Sequence, residues 1–195
     1  MIEQARTELA PTGRLRAAIN LSNFLLVTGR SANGDPEGVS PAMAAAVAER
    51  LDVGLELLTY DSPGALADAA VDDAWDIGNI GAEPERAKTI AFTAAYAEIE
   101  ATYLVPAGSS ITTVDQVDRD GVRIAVYGRS AYGLWLADNV RHAQLVCTDD
   151  QDSSVEAFVE GRLEALAGLR SKLVQEVDKL PGARILDGKF TAVQQ

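Results

Sequence analysis

The 195-residue chain contains one cysteine and one histidine, Cys147 and His142, which limits the chemistry open to it. A single cysteine excludes an intramolecular disulfide and a zinc site built from several cysteines, and a single histidine excludes a histidine-rich metal site. We therefore predict no metal and no cofactor. Cys147 follows two apolar residues, which predicts a buried thiol, because free cysteine packs as a small hydrophobe. His142 follows Arg141 between a predicted helix and strand, which predicts a surface position.

Basic residues are also scarce, with 17 lysines and arginines against 29 aspartates and glutamates. The formal net charge is −12 and the isoelectric point is about 4.5. A surface of this sign repels phosphate backbones and anionic lipid headgroups, which argues against nucleic-acid and membrane-surface partners. An anionic ligand would need a pocket with its own local positive charge.

Long apolar runs are missing as well. No stretch of 18 apolar residues occurs, so we predict no membrane insertion. The first residues, Met1–Arg6, lack the basic start, apolar centre and small-residue cleavage site of a signal peptide. The sequence as written therefore predicts a cytoplasmic protein, or a periplasmic or extracellular one if a signal was removed.

Short apolar runs alternate with helical segments almost throughout, which predicts an α/β fold. Ser40-Pro41 and Ser62-Pro63 each predict a helix start, because serine is a preferred N-cap and proline suits the first helical position. Asp152 is the predicted cap of a later helix, and Thr113 the cap of a short one. The predicted strands are 15–21, 53–60, 76–80, 122–127, 144–148, 163–168, 183–186 and 190–193, with an extended segment over 92–105.

The sharpest local feature is a strand, turn and helix over 122–132. A helix N-terminus has unpaired N–H groups and partial positive charge, which suits a carboxylate or phosphate. Arg129 would add a full charge and Ser130 a hydroxyl, although Ser130 alone would equally well cap its own helix. A single glycine, Gly128, does not make the three-glycine dinucleotide fingerprint.

Two other segments supply polar groups near predicted strand ends. In one, Gly81 allows close backbone approach to a ligand, and Arg86 could hold a carboxylate bidentately or instead pair with Glu83 or Asp76. In the other, Asn20 and Asn23 lie at the end of the first strand, where open α/β sheets bind ligands. Those two amides could equally satisfy a turn.

Three stretches, taken in order, resemble a known family. They are Trp75–Ala87 followed by Ala91–Tyr96, Gly121–Val126 with Ser130, and Gly161–Ala165. Over nearly the whole chain the sequence is similar to the type II solute-binding proteins of ABC transporters, family 3, polar amino-acid type. The resemblance implies a two-lobe α/β periplasmic-binding-protein-like fold with a hinge of crossing strands. Its expected divisions are a first lobe over 1–100, a second lobe over 101–190 and a return strand over 191–195, with the first-lobe completion missing.

The resemblance also implies that hinge closure clamps a small ligand in the cleft and that an ABC transporter permease is a partner. Arg86 would grip the ligand carboxylate, Ser130 would bind it from the second lobe, and Asn20 and Asn23 would line the first-lobe wall. The full set of predicted ligand-binding residues is Arg86, Ser130, Arg129, Asn20, Asn23, Asn79, Gly81, Tyr132 and Arg170.

Some positions depart from the family pattern. Leu169 stands where amino-acid binders usually place an acid for the ligand amine, and Arg170 follows it. Asn23 stands where an aromatic side chain often stacks on the ligand. A buried ammonium without a partner is costly, so we expect a carboxylate without an amine, or a dicarboxylate, with Arg129 or Arg170 helping. The absent signal peptide and the ending at Gln195 predict a shortened, cytoplasmic relative.

Two competing functions stay open at this stage. Cyclohexadienyl dehydratases share the fold, and such an enzyme would need a proton donor in the cleft, for which Glu83 is the best candidate with assistance from Tyr132. Alternatively, a regulatory module could have kept the fold and lost the ligand. Solute binding without catalysis is the preferred prediction.

Overall fold

The computed structural model describes residues 2–195, which form two compact units. The helices are α1 (Ile2–Leu9), α2 (Val39–Leu51), α3 (Pro63–Val71), α4 (Ala131–Asn139), α5 (Gln151–Glu160) and α6 (Arg170–Val177), with 3₁₀ turns at Arg86–Lys88 and Val114–Gln116. The strands are β1 (Arg14–Asn20), β2 (Gly29–Arg30), β3 (Pro36–Glu37), β4 (Gly54–Tyr60), β5 (Ile77–Asn79), β6 (Glu98–Val105), β7 (Arg123–Tyr127), β8 (Gln144–Thr148), β9 (Ala165–Leu169), β10 (Arg184–Ile185) and β11 (Thr191–Gln194).

The first unit is built on a three-stranded parallel sheet in the order β4-β1-β5. The central strand β1 is almost entirely buried, and Leu15 packs with Ala10 and Ala48 in the core of this unit. Because all three strands run in the same direction, their carboxyl ends meet at one edge of the sheet. Residues that follow β1 and β5 are thereby gathered there.

The second unit contains a six-stranded sheet in the order β10-β6-β9-β7-β8, with β11 also paired to β6. Strands β7, β8 and β9 are parallel, whereas β6 runs antiparallel to β9, β10 and β11. Its core includes Leu104, Phe158, Leu163 and Leu173. The amino ends of β7 and β9 therefore lie beside the carboxyl end of β6.

Two predicted helix caps have different outcomes. The Ser62-Pro63 prediction is confirmed, since the Ser62 hydroxyl accepts a hydrogen bond from the Ala65 N–H and Pro63 begins α3. The Ser40-Pro41 prediction places the helix start two residues too late, because α2 begins at Val39 with Gly38 as N-cap. At Gly38 φ is 134°, and a Cβ would lie 2.4 Å from the Leu26 carbonyl oxygen, so the chain enters this helix through a backbone conformation that needs glycine.

The cap of α5 is also corrected. Asp150 rather than Asp152 caps it, with Oδ1 accepting the Ser153 N–H at 2.7 Å. Asp152 lies within the first helical turn, where its negative charge is favoured by the helix dipole. Both aspartates are plausible caps in the sequence, and only the backbone path decides between them. Thr113 does precede the short 3₁₀ turn, as predicted, but its side chain makes no capping bond.

The prediction that Cys147 is buried is wrong. Its side chain is exposed on β8, which is the edge strand of the second sheet and pairs with β7 alone. An edge strand lacks a neighbour on one side, so a short apolar run in it does not guarantee burial. His142 is exposed, with 63% of its side chain accessible, which confirms the surface prediction.

The boundary between the two compact units lies within residues 80–92. The first unit extends to Ile80 and takes in Arg86–Ala91, and the second comprises Gly81–Glu85 and Phe92–Gln195. The sequence places the end of the first lobe at residue 100 instead. The return strand predicted over 191–195 forms as β11 and pairs with β6 of the second unit. Among the residues described, no helix combines the length and apolar character needed to cross a bilayer.

Candidate functional site

The first unit presents amide side chains at the carboxyl edge of its sheet. Asn20 ends β1 and is buried, and its Oδ1 accepts hydrogen bonds from the Ser22 N–H at 3.1 Å and the Ser22 hydroxyl at 2.7 Å. This local bond turns the chain sharply after β1. Asn20 therefore has a structural role in the loop, as the turn interpretation of the sequence predicts, and its oxygen already has two donors.

Asn23 lies in the same loop and is differently placed. Its Oδ1 is buried and has no hydrogen-bond partner among the residues described. An unsatisfied buried acceptor costs roughly 1–3 kcal/mol, so such an atom favours any ligand that brings an N–H or O–H donor to it. Because the loop follows the carboxyl end of a central parallel strand, this acceptor stands where α/β sheets bind ligands.

Asn79 is the last residue of β5 and is in register beside Ile19 of β1. Its Nδ2 donates a hydrogen bond to the Ser40 carbonyl at 2.9 Å. Ser40 is itself buried in the first turn of α2. The Asn79 side chain thus ties the start of α2 to the end of β5, which fixes two elements that border the same edge of the sheet.

Arg86 is the most deeply buried of the three arginines predicted to bind the ligand. Only 5% of the residue is exposed, and it begins the 3₁₀ turn Arg86–Lys88. The turn is closed by the Thr89 and Ile90 N–H groups, which both donate to the Arg86 carbonyl. A charged group is rarely buried unless it is paired, and a guanidinium has five N–H donors with which to do so. The first unit therefore holds a positive charge inside an otherwise acidic protein.

In the second unit, the turn between β7 and α4 is held by Ser130. The Ser130 hydroxyl donates to the Tyr127 carbonyl at 2.7 Å and accepts the Gly133 N–H at 2.9 Å. A Cβ on Gly133 would lie 2.2 Å from the Tyr127 oxygen, so only glycine permits this close approach. Ser130 is buried and acts as the N-cap, which leaves one lone pair of its oxygen for another donor.

Tyr132 lies directly behind this cap and is buried. Burial raises the pKa of its hydroxyl to about 12, and hydrogen bonds with Ser130 and Gln151 partly oppose that rise. The phenol is therefore neutral at physiological pH and belongs to the same bonded group as the cap. Arg129, between Gly128 and Ser130, is exposed.

Three other predicted residues have mainly structural surroundings. At Gly81 a Cβ would lie 2.6 Å from the Val193 side chain, so this glycine lets the Gly81–Glu85 segment of the second unit pack against β11. Arg170 begins α6, and its guanidinium donates to Glu100 Oε2 at 2.9 Å and to the Gly188 carbonyl. Leu169 before it is buried at the end of β9. The position expected to hold an acid is thus apolar, and the next residue is an arginine that is paired with Glu100.

The sequence did not point to Ser171. Its hydroxyl is buried without a partner in the first turn of α6, a helix whose N-cap residue, Leu169, provides no capping side chain. The available signal is its place two residues after the carboxyl end of β9. Within residues 2–195, no group of three or more histidine, cysteine, aspartate or glutamate side chains is close enough together to hold a metal ion.

The sequence from residue 23 to residue 195 matches the family model for bacterial extracellular solute-binding proteins, family 3. The chain belongs to this family. The match begins at Asn23 in the β1 loop and takes in β5, the Arg86 turn and the whole second unit. Members of this family bind small molecules, are typically periplasmic and typically work with ABC transporters. No curated protein shows significant similarity to the sequence.

Solved structures confirm the two-lobe fold. The chain is similar to holo ArgBP from T. maritima, with a TM-score of 0.73, 20% identity, and coverage of 96% of this chain and 83% of that one. It is similar to a binding component of an ABC transporter from Wolinella succinogenes complexed with lysine, at TM-score 0.73, 16% identity, and coverage of 93% and 80%. A third is the ancestral amino-acid-binding protein AncCDT-1, described as a precursor of cyclohexadienyl dehydratase, at TM-score 0.73, 18% identity, and coverage of 97% and 82%.

Proposed function

We propose that this family member binds a small carboxylate-bearing solute, with residues of both units contributing and closure of the lobes around it. The observation that carries the proposal is the burial of Arg86, an arginine residue that is 5% exposed in a chain of net charge −12. A planar guanidinium recognises a carboxylate bidentately, which gives both energy and orientation. The family match includes this residue and the Ser130 turn.

The ligand carries no α-ammonium group, or carries a second carboxylate. In the second unit, the residue at the end of β9 is the buried Leu169, which offers no negative charge to an ammonium. The adjacent Arg170 is a cation already paired with Glu100. The unsatisfied Asn23 Oδ1 in the first unit would accept a hydrogen bond from a hydroxyl or protonated group of the solute.

The experiment is a thermal-shift screen against amino acids, monocarboxylates, dicarboxylates and hydroxycarboxylates. A solute at about 100 times its dissociation constant should add roughly 2.7 kcal/mol of stability. The shift should disappear in Arg86→Lys, which keeps the charge but loses the planar fork, and persist in the matched control Arg50→Ala, an exposed arginine of α2. Far-ultraviolet circular dichroism checks that each variant is folded.

Stabilisation by α-amino acids alone would contradict the proposed ligand class, and a shift that survives in Arg86→Lys would contradict the proposed role of Arg86. If no small molecule stabilises the chain, the solute-binding proposal fails and a ligand-free regulatory module takes its place.

A second candidate function rests on Glu83. This carboxylate is buried at 8% exposure and accepts the Glu85 N–H at 2.8 Å. A buried carboxylic acid is the kind of group that a dehydratase uses as its proton donor. Incubation with prephenate and arogenate distinguishes the two functions: an enzyme releases product and loses this activity in Glu83→Gln, whereas a binding protein returns the substrate unchanged.

A further inference from the structure

A groove crosses the second unit at the edge where β7 and β9 begin. It consists of two adjoining cavities of about 520 Å³ and 390 Å³, which share Pro106, Ala107, Arg162 and Leu163 in their walls. Ser130 follows the other, carboxyl end of β7. The groove is therefore separate from every residue assigned to the proposed solute site in this unit.

The smaller cavity is apolar. Its walls include Phe158 and Leu163, which belong to the main core of the unit, together with Leu180 and Pro181. Its volume falls within the range of small-molecule sites, which are mostly apolar with a few placed polar groups. An apolar body seated here would contact core side chains directly.

The larger cavity contains two uncompensated cations. Within residues 2–195, neither the Arg119 nor the Arg162 guanidinium makes a hydrogen bond or an ion pair with a protein group. Two acids lie in the same walls. Glu164 accepts hydrogen bonds of 2.9 Å from the Arg123 guanidinium, and Asp120 Oδ1 lies 3.9 Å from His142 Nδ1. The Asp120 side chain is 96% exposed, and two arginines against this one acid leave the walls with a net positive charge that is available to an anion.

The backbone of Arg162 gives independent support. Its φ is +47°, and it occupies the residue after the α5 cap, a left-handed position that normally favours glycine or asparagine. The helix end is closed by backbone bonds alone, from the Arg162 N–H to the Val159 carbonyl and from the Leu163 N–H to the Phe158 carbonyl. The Arg162 side chain is thus not required for capping, although it occupies a position that is unfavourable for it.

We propose that this groove binds a small molecule with an apolar body and one anionic group. The anion lies between Arg162 and Arg119, and the apolar body lies against Phe158, Leu163 and Leu180. Arg162 is the one charged residue among the four that line both cavities, so it joins the polar and the apolar half of the ligand. This is a second site, independent of the proposed solute site.

Two-dimensional amide NMR of the full chain tests the proposal, with octanoate as the probe. Acetate keeps only the carboxylate of octanoate, and 1-octanol keeps only its apolar chain. Octanoate should produce saturable shifts at the amides of Ala107, Leu163 and Ala183, and should bind about tenfold more tightly than 1-octanol. Acetate should show no saturable shift over the same concentrations. Arg162→Gly should weaken octanoate binding at least about tenfold, since it removes the cation at a position where glycine is favoured.

The exposed Arg141→Ala is the matched control and should leave octanoate binding unchanged. Octanoate shifts that do not saturate, equal binding of 1-octanol, or an Arg162→Gly variant with undiminished affinity would each overturn the proposal. Arg86→Lys should retain octanoate binding, so failure of the groove and failure of the solute site are distinguishable.

Discussion

Arg16 of β1 and Arg123 of β7 make the same set of bonds in the two units. The backbone N–H and the guanidinium of Arg16 both donate to Asp76, and those of Arg123 both donate to Glu164. Each acid returns its own N–H to the carbonyl of its arginine. In both units, an arginine on a central parallel strand thus fixes the loop that leads into the neighbouring strand.

The two networks differ in burial and in one charge. The Asp76 side chain is 9% exposed, whereas that of Glu164 is 35% exposed. The left-handed residue before each acid is Asp73 in the first unit and Arg162 in the second. Asp73 lies 3.8 Å from the Arg16 guanidinium and is attracted to it, while Arg162 has the same sign as Arg123. The network common to both units is therefore structural. The second unit differs in having the cation Arg162 where the first unit has the anion Asp73.

The largest expected effect is in the first unit. Asp76→Ala should destabilise it by about 3 kcal/mol, because the mutation removes a buried acceptor and leaves Arg16 without its bidentate partner. Native-state hydrogen exchange at the β1 and β5 amides measures the loss. Asp76→Asn is the control, since its amide oxygen still accepts the Arg16 N–H and should preserve part of the stability. A loss no larger than that of the Glu164 variant would break the comparison.

In the second unit we expect a smaller effect that depends on pH. Glu164→Gln should cost about 1 kcal/mol near neutrality, since the pair is partly exposed. Hydrogen bonds from Arg123 hold the pKa of Glu164 below its ordinary value. The stabilisation is therefore complete above the unfolded-state pKa and is lost as the pH falls through the lower folded-state pKa.

Hydrogen exchange at the β7 amides, compared between the wild-type chain and Glu164→Gln from pH 6 to pH 3, measures this dependence. The stability difference between the two should shrink as the pH falls. The exposed Asp138→Asn should show no such change. A difference that stays constant over this pH range would contradict the assignment.

The smallest effect concerns the left-handed position. Arg162→Gly should leave stability unchanged or raise it by up to about 1 kcal/mol, because glycine adopts a positive φ without steric cost. Arg162→Ala keeps that cost and should be less stable than the glycine variant. Urea denaturation followed by circular dichroism compares the two. If the glycine variant were clearly destabilised, the Arg162 side chain would have a structural role that its lack of partners does not indicate.

Most of the fold is predictable from local patterns. The strands over 15–21, 53–60 and 144–148 were located within a residue or two, because apolar runs bounded by turn residues favour buried strands. The sequence does not locate the helix starts near Ser40 and Asp152, since several adjacent residues are chemically able to cap and the loop geometry selects Gly38 and Asp150. Helix α1 was not predicted, and it is tied to α2 by Arg6, which donates to the Leu51 carbonyl.

The candidate site was predictable in its residue types and much less so in their partners. The sequence predicts ligand contact for Ser130, Asn79 and Gly81, yet the bonds and packing that the structure gives them are with the protein itself. Their ligand contacts stay predictions. The unsatisfied oxygens of Asn23 and Ser171 follow from the burial of particular atoms, which depends on residues distant in sequence. No periodicity or motif in the sequence reports the burial of an individual atom.

The sequence by itself determined the family, the α/β alternation and the acidic character of the surface, because these depend on composition and on the order of local segments. Only the tertiary structure decided which charges are cancelled. Arg162 is two residues from Glu164 in the chain and Arg123 is 41 residues away, yet the strand pairing gives the acid to Arg123 and leaves Arg162 at the groove. Distance and burial in three dimensions, rather than separation along the chain, determine the electrostatic partner of each charge.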